Sequence, residues 1–233
     1  MLSLASQDQD RSLNSIRDAI LYRYNDDAFE RVVYSESHDD VANGQARVPH
    51  EVNPGDPTGW YAQKRSTMAA VMVFTAPGIP MLFQGQEFLE GEWFRDTVPV
   101  DWHQQDQFRG IIRMYRDLIK LRLNQSGCSR GLCGQFTQVY HLNEERKVLA
   151  FHRWDQGGPA DDVSLLPILP MKSKVNTSLA SLPVDSGSCD STAIGMAIAS
   201  CLMVLPVTIS KLWRSAVTHF HFKHRYPSLL IVS

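Results

Sequence analysis

Two short apolar runs constrain this chain more than anything else in it: "RVVYSE" at 31–36 and "IPMLFQGQEF" at 79–88. β-Branched and aromatic residues dominate the first, which marks it as a short buried strand. Both runs turn polar at their C-terminal ends, and each leads through a long polar loop into a helix. After the first come "ANGQARVPHEVNPGDPTGW" and then "YAQKRSTMAAVMVFTA" (61–76), a helix filled with Ala, Met, Gln and Lys and stopped by Pro77-Gly78. After the second come "LEGEWFRDTVPVDWHQQD" and "QFRGIIRMYRDLIKLRLN", whose Ile111, Ile112, Tyr115, Leu118, Ile119 and Leu121 form one apolar helical face. Strand, loop and helix, twice over, predict the βα repeat of a parallel sheet and an α/β fold class. Such sheets hold their chemistry at the C-terminal ends of the strands. In "VVYSESHDDVANG" (32–44) that end carries His38 and Asp39, which the pattern expects in a shared pocket.

The flanking segments differ. "RSLNSIRDAILYRY" (11–24) places Leu13, Ile16, Ile20 and Leu21 on one helical face, with Ser12 as N-cap. Beyond Gly127 the text shortens into "QFTQVYHL" and "KVLAFHRW", an antiparallel pair joined through "NEER". The formal net charge of −2 offers no electrostatic case for nucleic acid. Cys128, Cys133, Cys189 and Cys201 have no metal-ribbon or CxxC spacing, so they read as free thiols in a reducing compartment. With "MLSLASQDQDRS" lacking a basic start and an apolar core, the expectation is a cytoplasmic protein. From Ser164 onward six basic residues face two acidic ones, and there is no Glu or Gln at all.

"YSESHDDVANG" followed by "GIPMLFQGQEFLEGEWFRDTVPVDWH" resembles the seventh and eighth barrel strands of the α-amylase superfamily, glycoside hydrolase family thirteen. The nearest likeness is to α-1,4-glucan branching enzymes, over about residues 11–160. The resemblance implies that Asp39 holds sugar hydroxyls and stabilises the transition state, while His38 hydrogen-bonds the same ring. Trp93, beside "GQEF" (85–88), becomes a substrate contact. Ser37 stands where the family usually has Asn. The implied architecture is the C-terminal portion of a (β/α)8 TIM barrel over 1–125, then the start of an all-β C-terminal domain over 126–163. Residues 164–233 depart from the family, and a change of reading frame near Val163 would leave them as a disordered tail.

A retaining glycosidase needs two carboxyl groups about 5–5.5 Å apart. In the family both precede the His-Asp motif, and no such pair is visible before His38. The implied function is a truncated glycoside hydrolase or transglycosylase of α-1,4-glucans, inactive alone and needing no cofactor or metal. The alternative is a non-catalytic carbohydrate-binding or scaffold fragment. Glu87 reads as a loop brace, and Glu90, Glu92 and Asp96 read as solvated carboxylates. Arg47 reads as a solvated loop charge. Trp60, Trp93 and Trp102 either stack on sugars or cover apolar surface. In the tail, "HFHFKH" (219–224) puts His219 and His221 on one strand face, without a carboxylate or Cys companion for a metal. The apolar run at 193–209 is too short to span a bilayer and contains Pro206.

Overall fold

Ser12 caps the first helix, α1 (Leu13–Leu21), its Oγ accepting the Ser15 N–H at 3.2 Å. The computed structural model describes residues 10–145, 147–157, 161, 163–167 and 229–232. After α1 come β1 (Val32–Val33), α2 (His38–Ala42), α3 (Val48–Val52), α4 (Trp60–Thr75) and β2 (Ile79–Pro80). Then follow α5 (Gln104–Gln107), α6 (Arg109–Arg122), β3 (Phe136–Asn143), β4 (Val148–Trp154), β5 (Val163–Pro167) and β6 (Leu229–Val232).

Strands β1 and β2 pair in parallel, Val32 opposite Ile79 and Val33 opposite Pro80. The repeat has the predicted direction, but the strands are neither long nor buried. Val32 and Ile79 are 50% and 49% exposed. The Met81 N–H closes the ladder on Val33 O at 2.9 Å, and Ser37 then turns the first strand into a helix, which stops the pairing there. Leu21, expected on the core face of α1, is exposed because it ends the helix where the chain turns.

The second half forms a four-stranded sheet in the order β3-β4-β5-β6, antiparallel except for the parallel β5–β6 pair. A bulge between Val139 and His141 shifts the β3 register. Of the residues from Ser164 onward, the structure describes only Ser164–Pro167 and Leu229–Val232. The expected low order of the tail, the apolar run at 193–209 and the His219/His221 pair lie outside the described residues. Among the described residues no helix is long and apolar enough to cross a membrane. Cys133 is a free thiol, and Cys189 and Cys201 lie outside the described residues.

One apolar core joins the two halves. Leu13 and Ile20 of α1, Val71 and Phe74 of α4, and Met114, Tyr115 and Leu118 of α6 pack with Leu149, Phe151 and Leu165 of the sheet. Helix α6 thus buries the face that its periodicity predicts, against α4 and the sheet. Around this core, three arginines converge on the carbonyl end of α4. Arg153, fully buried on β4, donates from Nη1 to Thr75 O and Ala76 O at 3.0 Å each, and from Nη2 to Gly134 O. Arg122 donates to Ala76 O at 2.9 Å and to Gly78 O. Arg31 donates to Ala19 O, Ile20 O and Pro77 O. Each cation satisfies carbonyls that a helix end leaves unpaired and complements its dipole. Burial disfavours the charge of all three, and Arg122 beside it adds to this at Arg153.

Two glycines make the convergence possible. Gly78 has φ +123°, and a Cβ there would meet Val33 Cγ2 at 2.6 Å. At Gly131 a Cβ would stand 2.4 Å from Arg153 O and 2.1 Å from Asp161 O. Replacing Arg153 with Leu leaves the Thr75, Ala76 and Gly134 carbonyls in an apolar core, and urea unfolding should show a loss of about 2–4 kcal/mol. Arg153→Lys should recover only part of it, because an ammonium cannot span three acceptors as a planar fork does.

Candidate functional site

The end of β1 leads through Tyr34 and Ser35 to Glu36, the most buried acidic side chain in the described part of the chain at 1% exposure. Its Oε1 accepts Arg47 Nε at 3.0 Å, and its Oε2 accepts the Val48 N–H at 2.6 Å. Arg47 reaches on to the Gln84 carbonyl at 2.7 Å and lies over the Phe83 ring at 4.3 Å. One ion pair therefore ties together the end of β1, the start of α3 and the turn after β2. Burial pushes the Glu36 carboxyl upward, opposed by the charge of Arg47 and the Val48 N–H. The sequence reading of Arg47 as solvated is wrong: it is 2% exposed. A loop arginine looks solvated until its buried partner is located, and Glu36 stands between Ser35 and Ser37 in a polar stretch that gives no sign of burial.

Ser37 begins the next turn as an N-cap, with its Oγ accepting the Asp40 N–H at 3.2 Å and donating to Asp40 Oδ2 at 3.0 Å. That sets helix α2 starting at His38. The His38 and Asp39 side chains point together, Nε2 to Oδ1 being 3.2 Å, and both are largely exposed. Both stand in solvent on the first turn of α2. A separate small cavity, about 10 Å³, lies among Glu36, Ser66, Gln86, Glu90 and Tyr115. Phe94 meets the His38 ring edge-on, centroids 6.2 Å apart, and meets Phe83 in the same way at 5.7 Å.

The loop after β2 is clamped at its base. Glu90, expected among solvated carboxylates, is 3% exposed. It accepts the Glu92 N–H at 2.9 Å with one oxygen and the Asp101 N–H at 2.8 Å with the other. Its charge compensates backbone donors at the two feet of the loop, which explains its burial. Glu92 and Asp96 are exposed, as read. Trp93 stands on this loop, half exposed, with Arg95 5.9 Å from its ring centroid. Trp102 rests on Phe88 at 5.5 Å, so its inner face covers the small cluster of Phe88, Leu89 and Phe108. Trp60 is half exposed on α4. No group of three His, Cys, Asp or Glu side chains is arranged to hold a metal among the described residues.

No family model matches the chain. Over 110 residues it is 34% identical to the 1,4-alpha-glucan branching enzyme GlgB of Paramagnetospirillum magneticum, covering 46% of this chain and 14% of that protein. The GlgB of Ralstonia nicotianae is 32% identical over 134 residues, 55% of this chain and 17% of the relative. A pullulanase from Anoxybacillus sp. LM18-11, solved in complex with maltotetraose, superposes with a TM-score of 0.53 at 20% identity, covering 79% of this chain and 27% of that one. The likeness is to the α-amylase superfamily. The chain spans 14% and 17% of the length of these two curated relatives.

Exposure separates the roles of these side chains. His38→Ala and Asp39→Ala should each change unfolding free energy by less than about 1 kcal/mol in urea titrations, because little packing is lost. Arg47→Leu should cost about 3–5 kcal/mol by stranding the Glu36 carboxylate. Pairing it with Glu36→Leu should return much of that cost, and a double variant no better than Arg47→Leu would show that the pair is not the source.

Proposed function

We propose that this chain carries the transition-state-stabilising part of an α-1,4-glucan site of the branching-enzyme kind, on the last two strands of a (β/α)8 barrel. The observation that carries the reading is the exposed His38–Asp39 pair, 3.2 Å apart just beyond a parallel strand and founded on the buried Glu36–Arg47 bridge. In this role Asp39 accepts hydrogen bonds from sugar hydroxyls, and its negative charge opposes the positive charge that develops at the anomeric carbon. His38, its Nε2 3.2 Å from Asp39 Oδ1, donates to the same ring. Trp93 offers an aromatic face to a neighbouring glucose unit. The branching-enzyme names of the sequence relatives support an α-glucan as ligand.

The parent chemistry is retaining cleavage of an α-1,4 bond with transfer to a sugar hydroxyl or to water. That chemistry needs a nucleophile and a proton donor on a second and third carboxyl-bearing strand end. Glu36 is spent on Arg47, Glu90 on the loop feet, and Asp161 on the Asp155, Gln156 and Gly157 N–H groups, so none of these three buried carboxylates is available for it. Alone, the chain therefore binds glucan without turning it over. A cytoplasmic location, and the absence of nucleic-acid or membrane partners, go with this proposal.

The competing reading, a carbohydrate-binding module on the β-sheet, has an aromatic row to point to, but the row is self-occupied. Arg23, Phe136, Trp154, His152 and Tyr140 follow one another in series, with Phe136 and Trp154 stacked at 5.7 Å and His152 and Trp154 4.6 Å apart. Sugar stacking needs free ring faces, so the His38 rim is the better site.

Purified protein mixed with amylose should release no reducing ends and form no branches above a His38→Ala/Asp39→Ala control. Maltoheptaose should give a saturable change in tryptophan fluorescence that the double variant loses. Turnover by the wild-type chain would refute the inactivity, and a flat fluorescence titration would refute the glucan site.

A further inference from the structure

From Glu92 to Pro99 every residue is exposed except Phe94. The loop feet are fixed by Glu90, but across this stretch a single side chain returns to the body of the protein. It returns to a defined place. Phe94 packs edge-on against Phe83 at 5.7 Å and against His38 at 6.2 Å. Phe83 in turn lies under the Arg47 guanidinium at 4.3 Å, and Arg47 is bridged to Glu36, two residues before His38. The contacts close a circuit: Glu36, Arg47, Phe83, Phe94, His38 and back along the chain to Glu36.

We infer that Phe94 is a positioning residue, which fixes the His38 imidazole and the neighbouring Trp93 as one rim toward an α-glucan. The physical reason lies in what each rim member lacks. His38 is more than half exposed, and its side chain meets Asp39 and Phe94. Asp39 is itself largely exposed and restrains the ring weakly, whereas the Phe94 edge meets a partner anchored by a buried ion pair. Trp93 has the Arg95 guanidinium 5.9 Å from its ring centroid and takes its place from the backbone that Phe94 pins. An aromatic edge contact is worth about 0.5–1.5 kcal/mol, enough to select one orientation of an exposed imidazole.

The inference rests on the glucan reading of His38, and the test separates the two. In the full chain, the His38 ring resonances are assigned by their loss in His38→Ala, and maltoheptaose affinity is read by tryptophan fluorescence. Phe94→Leu keeps apolar volume in the gap and removes the ring edge; Phe94→Tyr keeps the edge. Phe94→Leu should shift the His38 ring resonances and weaken maltoheptaose binding about 3- to 10-fold, the fold-change matching that contact energy. Phe94→Tyr should leave both near the wild-type values. If Phe94→Leu lowers the melting temperature while the His38 resonances and the affinity stay put, Phe94 is only a loop anchor and the inference is overturned. Saturable wild-type binding that Phe94→Leu leaves unchanged also overturns it, without touching the glucan site. A wild-type chain with no saturable response removes the glucan site itself, and the positioning role falls with it.

Discussion

The carbonyl end of helix α4 is the point on which this structure turns. Residues 74–78 present a row of backbone acceptors that no further turn of helix satisfies, and guanidinium groups from three different elements come to them. Arg31 brings the strand entering the parallel pair, Arg122 brings the end of α6, and Arg153 brings the antiparallel sheet. Apolar packing alone is non-directional. It would press these elements together without choosing how they meet. The fixed fork of each guanidinium supplies the missing geometry, at the expense of taking Arg122 and Arg153 out of water and Arg31 partly so.

The same strategy recurs at the other end of the molecule with the opposite sign. Glu36 and Glu90 are buried carboxylates, and both spend their oxygens on backbone N–H groups as well as, for Glu36, on an arginine. Each pins a segment that has no regular secondary structure to hold it. Between them they build a firm floor under an exposed surface: His38 and Asp39 on one side, the Trp93 loop on the other. An exposed pair on a rigid floor is suited to meeting a polar ligand from solvent. A pair buried for stability would have been paid for by other contacts, and these two have few.

Legibility in the sequence followed the range of the interactions. The helices α1, α4 and α6 and the β3–β4 pair were readable because their signals are local: Ser12 at a cap, Pro77-Gly78 at a stop, apolar residues at helical or alternating spacing. The parallel direction of β1 and β2 was readable from the helix between them. The lengths of those strands were not, since the Ser37 cap turns the first strand into a helix by chemistry that the apolar run conceals. The candidate site was half legible. His38, Asp39 and Trp93 stood out through the family likeness, while Arg47 and Glu90 were misread as solvated, and Phe94 gave no signal among its exposed neighbours.

By itself the sequence determined the helices α1, α4 and α6, the β3–β4 pair, and that the first two strands run in parallel. These follow from spacing, capping and turn chemistry within a few residues. Only the tertiary structure decided which charges are buried and what they hold. Arg47 finds Glu36 eleven positions away, and Arg153 finds Thr75 seventy-eight positions away. A charged residue carries no mark of its eventual partner, because the energy that makes burial tolerable exists only once the distant donor and acceptor have been brought into hydrogen-bond range.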